Sequence, residues 1–396
     1  MSAEKSSYMG QSGVWLKNAD SRLFVQEFGG MTPEFSAKAS FGGESHWVNT
    51  HWNPHFRTPF SGLLNSDSEE EGQYWGIELM RQAAGCFPCG PTFGPGNEEL
   101  LPHGDLASGF WSLDYLDSDH NLVQWSLDGS YESLRYKKWD MLSQSGSAHI
   151  MILEAENTQS HPVDINLAWH TTLGAPFLER GCQIVTNCNQ FITPPLGTEF
   201  DDTCSIEPGS EFCSLEQAPG RNGEVQDRST MPGYNGHSEF ITGVSNEYDY
   251  LWSACVNPHL NLAYLTLIPL DALPKQANAG FMNYWMHSGG RNFAPWADYQ
   301  GGVDRNYALG METSIGASCL GLDHSRKNRT LMGKPSVIEL QPGQKVMFPC
   351  INSLFEIQII DSANEYTEQQ IRQEVKQQIH QLDLEFKAFL DATNLS

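Results

Sequence analysis

Nowhere in this chain do about 18 apolar residues run together, the least a membrane-crossing helix needs, so no membrane partner is expected. Positive charge is also scarce: 23 Lys and Arg stand against 48 Asp and Glu, a formal net charge of −25. A nucleic-acid partner requires a basic footprint and an anionic bilayer surface requires a polybasic segment, and the sequence offers neither. A neutral small molecule is the easiest ligand for such a chain. An anionic one would have to be met by a local cluster drawn from few arginines.

Paired cysteines are missing as well. The nine are an odd number scattered from Cys86 to Cys350, and the first residues, MSAEKSSYMGQSG, hold no apolar signal core. Reduced thiols and a cytoplasmic location are therefore expected. The closest pair is Cys86 and Cys89 in CFPC. A redox CxxC opens a helix, which the following GPTFGPG cannot do, and Cys182 and Cys188 are too loosely spaced to complete a zinc site. They read as buried thiols, and no metal or cofactor is expected. No fixed-period repeat and no long low-complexity linker occur, so residues 1–365 read as one domain.

What is plentiful is Gly (36), Pro (21) and aromatic residues (11%). Short apolar or alternating runs are punctuated by turn sequences such as FGG, DGS, NTQSHP and QPGQ. They include residues 22–28 (RLFVQEF), 121–127 (NLVQWSL), 149–154 (HIMILE), 163–173 (VDINLAWHTTL) and 260–268 (LNLAYLTLI). Near the end, 337–340 and 346–351 flank QPGQ. This pattern predicts an all-β sandwich or barrel rather than alternating βα units. Residues 201–239, polar and rich in Gly and Pro, read as a long loop. One segment, residues 366–392, is helical in pattern. Ile371, Val375, Ile379, Leu382, Phe386 and Phe389/Leu390 form its apolar stripe, Thr367 and Gln370 suit a capping box, and the stripe would pack on its own sheet or on a partner.

Several residues are candidates for chemistry. His103 sits between Pro102, which fixes its own backbone angle, and Gly104, which reaches conformations closed to other residues; this puts an imidazole on a stiff loop. His170 closes the run INLAWH, on the strand face of Asn166 and Ala168. Glu312, in YALGMETSIGA, is a carboxylate in a weakly polar strand, which demands a partner or a raised pKa and so suits an acid or base. Arg81, in ELMRQAAG, is a further member. Two aromatic stretches, HWVNTHWNPHFRTPF with His46, His51 and His55, and NYWMHSGGRNFAPW, have the character of surfaces that cover the C–H faces of a sugar.

This set resembles the galactose mutarotase-like superfamily, the aldose 1-epimerases and their hexose-phosphate relatives. His103-Gly104 matches the family's loop histidine and glycine, AWHTT at His170 its second histidine, and METS at Glu312 its catalytic glutamate. The run RQAAGCFPCGPTFGPGNEELLPHG is similar to the stretch ahead of the HG, which puts Arg81 at the sugar-binding arginine. WNPHFRTPF is similar to an upstream NPxW-like segment. The resemblance implies a large antiparallel β-supersandwich, here with an added C-terminal helix. It also implies a cofactor-free reaction on a small-molecule sugar: interconversion of the α and β anomers by ring opening and reclosure. In that reading Glu312 is the base on the C1 hydroxyl, His170 the acid on the ring oxygen, His103 shares in polarising that oxygen, and Arg81 fixes a hydroxyl or an anionic substituent. Two departures stand out. The HGFAR of the hexose-6-phosphate branch is HGDLAS here, and the family's sugar-binding aspartate has only Asp249 or Glu239 as counterparts. A non-catalytic carbohydrate-binding protein on the same fold is the alternative. The particular sugar and the oligomeric state are left open.

Overall fold

The computed structural model describes residues 2–41, 44–53, 79, 82–247, 249–274, 280–291, 307–316, 318–357, 368–393 and 395. Its architecture is all-β with a C-terminal helix. Two large antiparallel sheets face one another. The first, here the site sheet, has seven strands in the order Glu211–Phe212, Gln190–Ile192, His237–Val244, Phe281–Ser288, Tyr307–Ile315, Leu167–Leu173, Cys86–Cys89. The second, the back sheet, has eight: Gln183–Thr186, Tyr250–Asn257, Leu262–Pro269, Lys345–Glu356, Ala148–Asn157, Leu134–Leu142, Leu122–Asp128, Ser112–Asp117. A five-stranded meander, Ser2 to Asn49, forms a third sheet, and its Phe35 packs on Tyr264 and His149 of the back sheet.

The runs with strand periodicity all form strands, with two adjustments. Residues 163–173 divide into Val163–Ile165 and Leu167–Leu173. Asn166 causes the break: its N–H donates to Pro91 O (2.7 Å) and its Nδ2 to Ser336 O (2.9 Å), so the chain leaves one pairing and enters another. The QPGQ turn does not close a hairpin, because Ile338–Leu340 pairs with Val163–Ile165 while Lys345–Glu356 runs through the centre of the back sheet.

Strand alternation divides the site sheet into an inner and an outer face. Trp169 points inward, its Nε1 donating to Phe348 O at 3.2 Å, and Tyr284 donates to Ser253 Oγ at 3.1 Å; both are fully buried between the sheets. The residues beside them, His170 and Trp285, therefore face outward.

The back sheet's outer face is covered by the helix Glu368–Thr393. Its buried residues Ile371, Val375, Ile379, Leu382, Phe386 and Phe389 are those of the sequence stripe, set against Trp139, Ile150, Ile152 and Trp252. Each contributes about 1.5–3 kcal/mol of apolar burial before ordering is counted. Tyr250 Oη donates to Asp383 (2.9 Å) and Arg372 to Thr186 O (2.7 Å), which fixes the helix along the sheet. Thr367, the expected cap, lies outside the described residues.

Two short helices, Gly104–Ser108 and Gly321–Lys327, have no counterpart in the sequence pattern, since so few residues leave no 3.6-residue period to read. Residues 201–239 are not simply a loop. They contain a 3-10 turn, the short ladder Ala218–Pro219 with Val225–Gln226, and the start of the strand His237–Val244. A buried ion pair closes this excursion: Arg228 binds Glu239 through both Nε and Nη2, and Ser205 N–H donates to the same carboxylate at 3.1 Å.

Candidate functional site

On the outer face of the site sheet, register alone gathers residues from five strands. Phe87 pairs with His170, Glu312 with Asn283, and Asn283 with Thr242. Between the strands Leu167–Leu173 and Tyr307–Ile315, the pairs Trp169–Thr313 and Thr172–Gly310 set a register that brings His170 opposite Glu312. Side chains opposite one another in neighbouring strands share a face. One row thus reads Phe87, His170, Glu312, Asn283, Thr242, and the next holds Thr172, Gly310, Trp285 and Phe240. Above them opens a cavity of about 700 Å³, within the range of small-molecule sites.

His103 reaches this row from above. It is the N-cap of the helix Gly104–Ser108 and holds a left-handed backbone, φ 61°, which few non-glycine residues adopt. Hydrogen bonds on both sides keep it there: its N–H donates to Gly94 O (3.0 Å) and its O accepts from Gly90 N–H (3.1 Å). Gly104 continues the left-handed turn at φ 74°, and a Cβ there would lie 2.3 Å from Gly90 O, so glycine is required. The expected stiff loop is thus the first turn of a short helix. It sets the His103 ring perpendicular to that of His170, with centroids 4.9 Å apart. Cys89 Sγ sits 3.5 Å from His103 Nδ1, and Phe87 stacks flat on His170 at 4.5 Å.

His170 lies within its strand rather than at its end. Its Nδ1 meets Thr172 Oγ1 at 3.0 Å, leaving Nε2 directed at Glu312 Oε1, 3.2 Å away. The pair is not aligned as a hydrogen bond, and neither Glu312 oxygen has a hydrogen-bonding partner among the described residues, although the side chain is 1% exposed. Burial, reinforced by the nearby Glu199 charge, holds the Glu312 carboxyl well above the usual carboxylate range. Burial, reinforced by His103, holds His170 well below the ordinary histidine range, and burial brings His103 down to about 4. Burial thus favours the protonated carboxyl of Glu312 and the neutral form of both imidazoles. The shifts run in opposite directions in two groups 3.2 Å apart, the arrangement that suits one to act as an acid and the other as a base.

Sequence reasoning named three residues that the fold brings together: His103, His170 and Glu312. Arg81 lies outside the described residues, as does His55. Of the aromatic stretches, Trp52 and Trp285 line the cavity. His51 does not; it is buried, bonded to Thr32 O (2.6 Å) and Tyr264 Oη (3.0 Å). His46 and Trp47 belong to the strand Glu44–Asn49 at the edge of the N-terminal sheet. Glu239, one counterpart considered for the family's aspartate, is committed to Arg228, and Asp249 does not line the cavity. The other acid among the described residues lining the cavity is Glu199, paired with Arg291 at 3.0 Å. Neither residue stands in a recognisable motif; only their neighbours Phe200 and Trp285 mark the segments as aromatic.

No protein-family model matches the chain, and no curated protein matches it in sequence. Solved structures do. A provisionally designated aldose 1-epimerase from Klebsiella pneumoniae aligns with a TM-score of 0.60 at 13% identity, covering 94% of this chain and 85% of its own. A galactose mutarotase-like protein from Clostridium acetobutylicum gives 0.57 at 12% identity, covering 90% and 98%. A provisionally designated aldose 1-epimerase from Escherichia coli gives 0.51 at 14%, covering 87% and 98%. What is shared at such identities is the fold, and it is the galactose mutarotase-like β-sandwich.

Proposed function

We propose that this chain interconverts the α and β anomers of a free sugar, with Glu312 and His170 as the acid–base pair. The observation that carries the reading is His170 Nε2 standing 3.2 Å from a buried Glu312 carboxyl that has no hydrogen-bonding partner among the described residues, at the floor of an aromatic-lined cavity. Ring opening needs one group to take the proton of the C1 hydroxyl while another protonates the ring oxygen. Transfer of the shared proton from Glu312 to His170 Nε2 prepares both. Glu312 carboxylate then takes the hydroxyl proton, His170 delivers its own to the ring oxygen, and the C1–O5 bond breaks to leave an aldehyde and a chain hydroxyl. After rotation about C1–C2 the same transfers run in reverse and close the other anomer. His103, neutral and perpendicular to His170, adds a polar contact at the ring oxygen. The rings of Trp52, Phe87 and Trp285 suit the sugar's C–H faces.

The test is proton NMR of freshly dissolved single-anomer sugars. Anomer exchange should accelerate with at least one sugar of a panel of neutral, uronic and phosphorylated hexoses. If resonances broaden for one sugar while exchange stays at the spontaneous rate across the panel, the protein binds sugar without turning it over.

Gly310 supplies a second expectation. Glu312 folds back along its own strand over the bare Cα of Gly310, so that a Cβ there would lie 2.5 Å from Oε1 and 2.9 Å from Trp285 Cβ. Gly310→Ala must displace the carboxyl from His170. A shift of about 1 Å in a reacting group costs on the order of 100-fold, so kcat should fall by that order, while any rise in KM would report the accompanying shift of Trp285. Wild-type kcat in this variant would show that the carboxyl does not act from where it rests.

A further inference from the structure

Arg291 follows the strand Phe281–Ser288 past Gly289 and Gly290 and turns back onto the cavity wall. Its guanidinium lies over the rings of Trp285 (5.5 Å) and Phe200 (5.7 Å). Trp285 is paired with Gly310, in the row beside Glu312, and Arg291, Trp285 and Glu312 line the same cavity. It is the only Lys or Arg among the described residues lining the cavity.

The ion pair it makes is lopsided. The Arg291 side chain is 12% exposed, whereas Glu199, on the connection after Gln190–Ile192, is 62% exposed. Arg228–Glu239 in the same chain shows what a structural pair looks like here, with side chains 6% and 4% exposed and further bonds from Ser205. A carboxylate held at the solvent side of a pair contributes little to stability. A guanidinium held against two aromatic rings is oriented before anything binds it, and its planar fork matches carboxylate and phosphate oxygens. The cation is thus built into the wall while Glu199 is exchangeable.

We propose that the sugar taken by this site carries an anionic group, carboxylate or phosphate, which replaces Glu199 on Arg291 while the anomeric centre rests against Glu312 and His170. The location of the reaction rests on the mutarotase reading; the anion contact does not. In a chain of net charge −25, an anionic ligand needs a fixed local cation of this kind.

The experiment compares matched probes, a hexose, its hexuronate and its 6-phosphate, by anomer-exchange NMR and by calorimetric binding. The wild type should favour an anionic probe. Arg291→Gln should cut the ratio of kcat/KM for the anionic over the neutral probe by about 10- to 100-fold, through KM, the range expected of charge-assisted hydrogen bonds. Arg291→Lys should fall between, and Glu199→Gln should lower KM for the anionic probe by removing the internal competitor. Acceleration of the neutral hexose alone, or a ratio that neither Arg291 variant moves, overturns the anion contact and leaves the mutarotase reading standing. If no probe exchanges faster, calorimetry decides: hexuronate binding that Arg291→Gln abolishes upholds the anion contact and removes the reaction. Binding of no anionic probe sinks the proposal.

Discussion

Glu312→Gln should lower the anomer-exchange rate by about 10²–10⁴-fold, the usual contribution of a general acid–base group, while the protein melts at or above the wild-type temperature. The two halves of this expectation have one cause. Burial, together with the Glu199 charge, keeps Glu312 protonated in the folded protein, whereas in the unfolded chain the carboxyl ionises above its ordinary value of about 4.3. As pH rises past that value the unfolded state releases a proton that the native state holds more tightly. Glu312 therefore destabilises the fold progressively as pH rises from the unfolded pKa toward the folded one. Glutamine has the same shape and no proton to lose, so the substitution relieves that penalty and removes the chemistry. A variant that lost activity together with stability would instead mark Glu312 as a packing residue.

The same electrostatics set the pH profile. Catalysis needs the one-proton state of the Glu312–His170 pair. A second proton on the pair removes the base; loss of the shared proton removes the acid. Because burial pushes Glu312 up and His170 down, the two limbs of kcat/KM stand far apart, with a broad plateau through neutrality, and both belong to the pair rather than to either residue. Activity that simply rose through the ordinary carboxylate range would mean that Glu312 ionises as an exposed acid does.

The sequence made some of this legible and hid the rest for physical reasons. Alternation and turn residues identify strands because pleating is local, and the 3.6-residue stripe identifies the C-terminal helix for the same reason. His103, His170 and Glu312 are recognisable from their residue types, their settings and the family resemblance. The row that joins His170 to Phe87 and Glu312 is set by pairing across long stretches of chain, 83 positions from Phe87 to His170 (170 − 87) and 142 from His170 to Glu312 (312 − 170), and no local pattern records such pairing. Glu199 and Arg291 come from separate loops that only the fold brings together. The strand Leu134–Leu142 misleads outright. Its alternate residues Lys138 and Asp140 look like a solvent-facing pattern, yet they point into the core between the sheets, 1% and 0% exposed.

That buried pair gives the largest expected loss of stability. Lys138 Nζ lies 2.7 and 2.6 Å from the two oxygens of Asp140, and His149 Nε2 is 3.0 Å from the first of them. Burial pushes the Asp140 carboxyl up, but the Lys138 charge and the bonds from His149 and Lys138 outweigh it and hold the carboxyl below its ordinary value. Burial also holds His149 below the usual histidine range, so Lys138 is the cation that balances Asp140. Lys138→Met keeps the bulk and removes the charge. Leaving a buried carboxylate uncompensated costs about 3–5 kcal/mol, readable as a fall in the urea midpoint at pH 7. The loss should shrink in acid. In the wild type the stability from Asp140 is present above its unfolded pKa and disappears as pH falls through the lower folded value, whereas in Lys138→Met burial acts unopposed by the lysine and that stability is absent from the start. Adding Asp140→Asn should restore most of the midpoint, because a neutral amide at that position still accepts from His149. Equal midpoints for Lys138→Met and wild type at pH 7 would mean that Asp140 is not charged in the native core.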